Sequence, residues 1–188
     1  LYLILIPLGI FGIIYVPENL IVEGDIKTTV GNLLANETLF RLSIISALLV
    51  QIVNIFVVLF LYKLLNPINR NMAILMVIFL FTAVPIAFIN ELNHVAILHL
   101  LNTTNSDLIA LFLNLHMGGI YIAQVFWGLW LFPMGYLVFK SNFLPKSIGI
   151  LLMIGCFGYL IDTFTYFVFP SLDVTVSEFT FIGELIFP

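Results

Sequence analysis

Charge is scarce in this chain. Of its 188 residues only 9% are Asp, Glu, Lys or Arg, while 62% are hydrophobic. Soluble domains carry about 25% charged and about 45–50% apolar residues. A soluble fold could not hide this much apolar surface and still present a charged exterior, whereas a bilayer removes the problem by serving as apolar solvent. Basic residues are fewer than acidic ones: six Lys and Arg make no basic face, which argues against nucleic acid as a partner. Cysteine is nearly missing, and the single Cys156 excludes an internal disulfide framework. It lies in an apolar run and reads as a small core residue. The chain also lacks a phosphate-binding Gly loop, a Gly-x-Ser-x-Gly elbow, a His-x-x-x-His zinc pair and the repeated arginines of a voltage sensor. No cofactor is therefore expected.

What the chain has in quantity is long apolar runs. A helix crossing a hydrocarbon core of ~30 Å needs roughly 20 apolar residues in a row. The first run, Leu1 to Val16, is too short and is read as ended by Pro17. Longer runs extend from about Leu39 to Leu65, Asn71 to Leu101, Leu108 to Phe139 and Ser147 to Phe169, and a last one begins near Ser177. The expected fold is all-α: one integral membrane domain over residues 1–188, a polytopic bundle of about six transmembrane helices with the first and last truncated. Pro85 and Pro133 fall inside the third and fourth runs, where each removes a backbone donor. Between the first two runs Asp25 is a plausible N-cap, and Ile26, Val30, Leu33 and Leu34 recur at helical spacing. This segment is expected to form a short amphipathic helix on the outer surface.

The connections alternate in charge. Lys63 and Arg70 flank one, Lys140 and Lys146 another, and neither holds an acid. The other three carry Glu18, Glu23, Asp25 and Glu37, then Asp107, then Asp173 and Glu178. Lys and Arg mark the cytoplasmic side, so both chain ends are expected there, in a multi-pass protein of the inner membrane.

Ionisable residues inside a span are costly and are functional candidates by default. Five qualify: Glu91 and His94, His116, Asp162 and Glu184. Counted from the loops, all five fall toward the outer side. Glu91 and His94 are three apart and share a helix face, the ligand spacing of half a bundle di-iron site. The bland alternative is a helix-end hydrogen-bonding group with Asn90 and Asn93. His116 precedes Gly118 and Gly119, where a neighbouring backbone can approach, and Trp127 follows on nearly the same face. Asp162 has Tyr159 and Tyr166 within one turn on either side. Ser43, Ser46 and Asn54 form a polar stripe on the second span, with Gln51 nearby, suited to joining helices.

The stretches Leu20-Ile21-Val22-Glu23-Gly24-Asp25, Leu39-Phe40-Arg41 and Leu64-Leu65-Asn66-Pro67-Ile68-Asn69-Arg70, the long segment from Leu111 to Leu152, and the segments around Asp162 and Glu184 resemble the bacterial membrane family called domain of unknown function 4386. The resemblance implies a bacterial inner-membrane protein whose last helix continues past Pro188. It implies no activity and transfers no functional residue. The stretch from Glu91 to His94 is less like the family pattern, which shifts weight to His116, Asp162 and Glu184.

The leading expectation is a non-enzymatic membrane protein that binds or passes a small molecule, proton or ion through a polar pocket. Its lining would be His116, Asp162, Glu184, Tyr159, Tyr166 and Trp127, and its standing partner is the lipid bilayer. A second is a metal-binding protein or enzyme drawing ligands from Glu91, His94, His116, Asp162 and Glu184. A third is an accessory subunit whose polar residues only hold the bundle together.

Overall fold

A computed structural model describes residues 2–103, 105–141 and 144–170, together with 175, 176 and 180. Every regular element among them is helical. Helix α1 is one run in three pieces: α-helical Tyr2–Gly9, π-helical Ile10–Tyr15 and α-helical Val16–Leu20. It is followed by α2 (Ile26–Ala35), α3 (Glu37–Leu65), α4 (Arg70–Leu100), α5 (Ser106–Lys140) and α6 (Lys146–Val168). Five of these are long and apolar enough to cross a membrane: Leu3–Leu20, α3, α4, α5 and α6. Large apolar side chains stay exposed at helical spacing along them. Leu42, Ile45, Leu49, Ile52, Phe56 and Phe60 mark α3, and Ile150, Ile154, Phe157, Ile161 and Phe164 mark α6. Exposed stripes of this length suit lipid and not water. The chain is a membrane protein by this measure, and the expected sixth span, from Ser177, lies outside the described residues.

Pro17 does not end the first helix. The turn before it is π-helical, with the Val16 amide donating to the Phe11 carbonyl. A proline ring clashes with the carbonyl four residues back. The wider π turn relieves that clash, and helix continues to Leu20, where the Ile21 amide donates to the Pro17 carbonyl at 2.8 Å. Pro85 and Pro133 likewise sit inside continuous helix.

The helix ends follow local chemistry. The Asp25 carboxylate accepts the Thr28 amide at 3.0 Å and caps α2. Asn69 accepts from the Met72 amide at 3.1 Å at the start of α4. At α5, Asn105 accepts from the Leu108 amide at 3.3 Å. Lys63, Lys140 and Lys146 lie over the rings of Phe60, Tyr136 and Phe139, as basic and aromatic residues do at a membrane interface.

The chain divides into two compact units. Unit 1 comprises Leu1–Asn54 with Ala87–Ile120, and unit 2 comprises Ile55–Ile86 with Tyr121–Pro188. Helices α3, α4 and α5 contribute a segment to each. In unit 1, Val16, Leu20, Leu33, Phe40, Ile44, Ile97, Leu101 and Ile109 form a buried apolar cluster, with Ile26 and Val30 packed against it. The amphipathic α2 thus turns its apolar face into this core and leaves Leu34 exposed. The expected short amphipathic helix is present, and Thr29 ties it to the preceding loop. The buried Thr29 hydroxyl accepts the Val22 amide at 2.9 Å. The serine stripe joins helices as expected: the Ser46 hydroxyl donates to the Leu8 carbonyl at 2.8 Å, and Gly12 packs on Ser43 and Ser46.

Unit 2 is built on close backbone approach. A Cβ placed on Gly135 would meet the Gly149 carbonyl oxygen at 2.5 Å, and one on Gly149 would meet the Gly135 oxygen and the Phe139 nitrogen at 2.6 Å. Helices α5 and α6 therefore touch backbone to backbone, the use to which membrane bundles put small residues.

Candidate functional site

Unit 1 carries a polar group inside this apolar frame. Glu91 and His94 are one turn apart on α4, so their side chains meet on one face. His94 Nδ1 lies 2.9 Å from Glu91 Oε2. His116, from α5, brings its Nε2 to 3.3 Å from Glu91 Oε1. The two oxygens of a single carboxylate thus serve two imidazoles on different helices. The imidazoles are stacked, with centroids 3.6 Å apart and planes 25° from parallel. The Phe40 ring of α3 closes the other side of His94 edge-on, at 5.1 Å. His94 is 8% exposed, and the Glu91 side chain 13%.

Asparagines set the register of α4 against α5 here. The Asn90 amide donates to the His116 carbonyl at 2.9 Å. Its own oxygen accepts from Asn93 Nδ2 at 3.0 Å. Gly119 makes this possible, since a Cβ at that position would overlap the Asn90 amide. Asn90 is itself buried. The backbone that bears His116 is therefore held by the residue next to Glu91, and the ring meets the carboxylate as a consequence.

Nitrogen and oxygen donors facing one another can hold a proton between them, tie two helices or coordinate a metal ion. Glu91, His94 and His116 can each offer one ligand atom such that all three lie within 4.8 Å of one another. No other His, Cys, Asp or Glu among the described residues joins that group.

The structure brings three of the five intramembrane candidates together, and they include the pair that family resemblance favoured least. Asp162 lies in unit 2, 2% exposed, and its Oδ1 accepts the Val176 amide at 2.6 Å. Tyr159 is half-buried there, and its carbonyl accepts from Gln124 Nε2 at 3.3 Å and from the Thr163 hydroxyl at 3.0 Å. Tyr166 stacks on Tyr121 with centroids 4.0 Å apart. Trp127, also in unit 2, is half-buried on α5. Glu184 lies outside the described residues. Phe40 has no sequence signal of its own, and at Gly119, where a neighbouring backbone is expected, the neighbour is the Asn90 side chain. The one available signal was the run Asn90-Glu91-Asn93-His94, four polar residues within five positions of an apolar helix.

A family profile described as "Domain of unknown function (DUF4386)" matches residues 1–188. An uncharacterized protein of Archaeoglobus fulgidus is 32% identical over 145 residues, covering 77% of this chain and 78% of that protein. No solved structure matches.

Proposed function

The chain belongs to the DUF4386 family, and for this member we propose that a small cation binds inside the membrane at the Glu91, His94 and His116 centre. One observation carries the reading: a single carboxylate in an apolar helix is shared by two imidazoles from two helices. A carboxylate at membrane depth is costly, and a cation held among these donors offsets that cost. The purpose of the protein is then to bind or pass that cation. In this reading Lys63, Arg70, Lys140 and Lys146 face the cytoplasm, since Lys and Arg are enriched on that side of spanning helices. Glu91 and His94 come late in α4, which starts at a basic loop, so the centre belongs to the outer half of the bilayer.

The test is calorimetric titration of the detergent-purified protein with a panel of monovalent and divalent cations. One binding event per chain is expected in the wild type, and a Glu91→Gln variant should lose it. A wild type that binds no cation overturns the reading. The mutual bonds of the cluster favour one alternative, an interhelical tie with no ligand. In that case Glu91→Gln lowers thermal stability and no cation raises the stability of the wild type. Orientation is tested separately by single cysteines at Ile68 and Thr103 with a membrane-impermeant maleimide in intact cells. Labelling at 103 and not at 68 is expected.

A further inference from the structure

We infer that the Glu91, His94 and His116 centre is a three-ligand site for a zinc-class divalent ion, with one coordination position left to water or a small exogenous donor. This rests on the cation-binding reading above and narrows it to one chemical class. Two imidazole nitrogens and one carboxylate oxygen are the donors that zinc, cobalt and nickel prefer. Calcium and magnesium take all-oxygen sets.

The spacing of the donors fits. With metal–ligand bonds of about 2.0–2.1 Å, neighbouring corners of a tetrahedron lie ~3.3–3.4 Å apart. The two imidazole nitrogens stand 2.9 and 3.3 Å from the Glu91 oxygens, and the three ligand atoms lie within 4.8 Å. These two distances run to different oxygens of the carboxylate, so an ion would draw both nitrogens toward a single Glu91 oxygen. The two imidazoles lie side by side, with ring centroids 3.6 Å apart, and histidine binds metal through a ring nitrogen.

The site is also supported from behind. Asn90 holds the His116 carbonyl, Gly119 leaves room for the Asn90 amide, and Phe40 wedges the His94 ring. Metal sites depend on such supports to orient their ligands. The remaining acids of unit 1 are occupied elsewhere or absent from the cluster: Glu37 pairs with Arg41 at 2.6 Å, and Asp25 caps α2. No fourth His, Cys, Asp or Glu among the described residues joins the group. Structural zinc sites close with four protein ligands. A set of two His and one Glu is the kind that keeps an open position.

The experiment is cobalt(II) titration of the whole chain, purified in detergent and stripped with chelator, followed by visible absorption. One cobalt per chain is expected, with four-coordinate d–d bands, displaced by one equivalent of zinc. Glu91→Gln and His116→Ala should each weaken binding on the order of 100-fold or more, and Asn90→Ala by roughly 10-fold, as loss of an orienting group does. His99→Ala removes the remaining histidine, which is exposed, and should leave binding intact. Because the ligand variants could fail to fold, the wild type is also melted with and without zinc, and a rise in its unfolding midpoint is expected. Azide added to the cobalt form should shift the bands. Bound cobalt whose spectrum ignores azide overturns the open position. Wild-type protein that binds another cation but neither cobalt nor zinc overturns the metal class and leaves the cation reading standing. Protein that binds no cation overturns both. Binding that persists in Glu91→Gln and His116→Ala marks an adventitious metal and overturns the site.

Discussion

Unit 1 and unit 2 differ in what makes their closest helix contacts, although Gln124 and Thr163 also bridge α5 and α6 by hydrogen bonds to backbone carbonyls in unit 2. In unit 2, α5 and α6 meet through glycines, and the contact is backbone on backbone at Gly135 and Gly149. Gly128 adds a third close approach, against Tyr159. In unit 1 the helices meet through side chains: Ser46 on the Leu8 carbonyl, Asn90 on the His116 carbonyl, and Glu91 between two histidines. Small-residue packing needs no polar atom and carries no chemistry. Polar packing in a membrane is more costly to build, since every buried donor and acceptor must be matched. That unit 1 uses it with an ionisable trio, where serines and asparagines would suffice to join helices, is what sets the trio apart as a site.

Breaking the glycine contact should have the largest effect on stability. Gly149→Val adds bulk against the Gly135 oxygen and the Phe139 backbone, and overpacking of this kind costs about 1–3 kcal/mol or more. Denaturant unfolding of the purified protein should show it, with the cation response of unit 1 retained in the folded fraction. Next comes Glu91→Leu, which leaves two imidazoles without their acceptor. Unsatisfied buried polar groups cost about 1–3 kcal/mol, and here the cation response should vanish with the stability. If Gly149→Val abolished cation binding, or Glu91→Leu left it intact, the division between a packing unit and a binding unit would collapse.

Smaller effects sharpen the same contrast. Ser46→Ala removes a hydrogen bond and nothing else, a loss of about 0.5–1.5 kcal/mol, with cation affinity unchanged. Asp25 supplies the smallest and the only pH-dependent one. The Thr28 hydroxyl, and then the Thr28 amide, hold the Asp25 carboxyl below the usual carboxylate range. A carboxylate depressed in the folded state contributes stability above its unfolded value, about 4. That contribution is lost as pH falls through the lower folded value. Helix content of α2, followed by backbone NMR, should therefore decline in that acid window. Asp25→Asn, which also caps well, should remove the pH dependence and keep the helix.

Much of the architecture was legible from residue order. Helix ends near Leu65, Arg70, Lys140 and Lys146, and the Asp25 cap, follow from turn residues and apolar run lengths that act over a few positions. Pro17 misled, because the π turn that accommodates it is set by the backbone of the preceding residues and has no side-chain signature. The pairing of Glu91 with His94 was legible too, since helix geometry alone brings i and i+3 together.

The third member was not. Whether His116, Asp162 or Glu184 would meet that pair depends on the register of one helix against another, and periodicity within a helix carries no information about it. Residence in a membrane, the rough place of the spans and the presence of ionisable residues within them follow from residue order alone, because hydrophobic length and charge are local and additive. That His116 joins Glu91 and His94, while Asp162 bonds the Val176 amide, depends on how the helices pack. That choice was made by Asn90 fitting beside Gly119 and holding the His116 carbonyl, a contact between residues 26 or more positions apart.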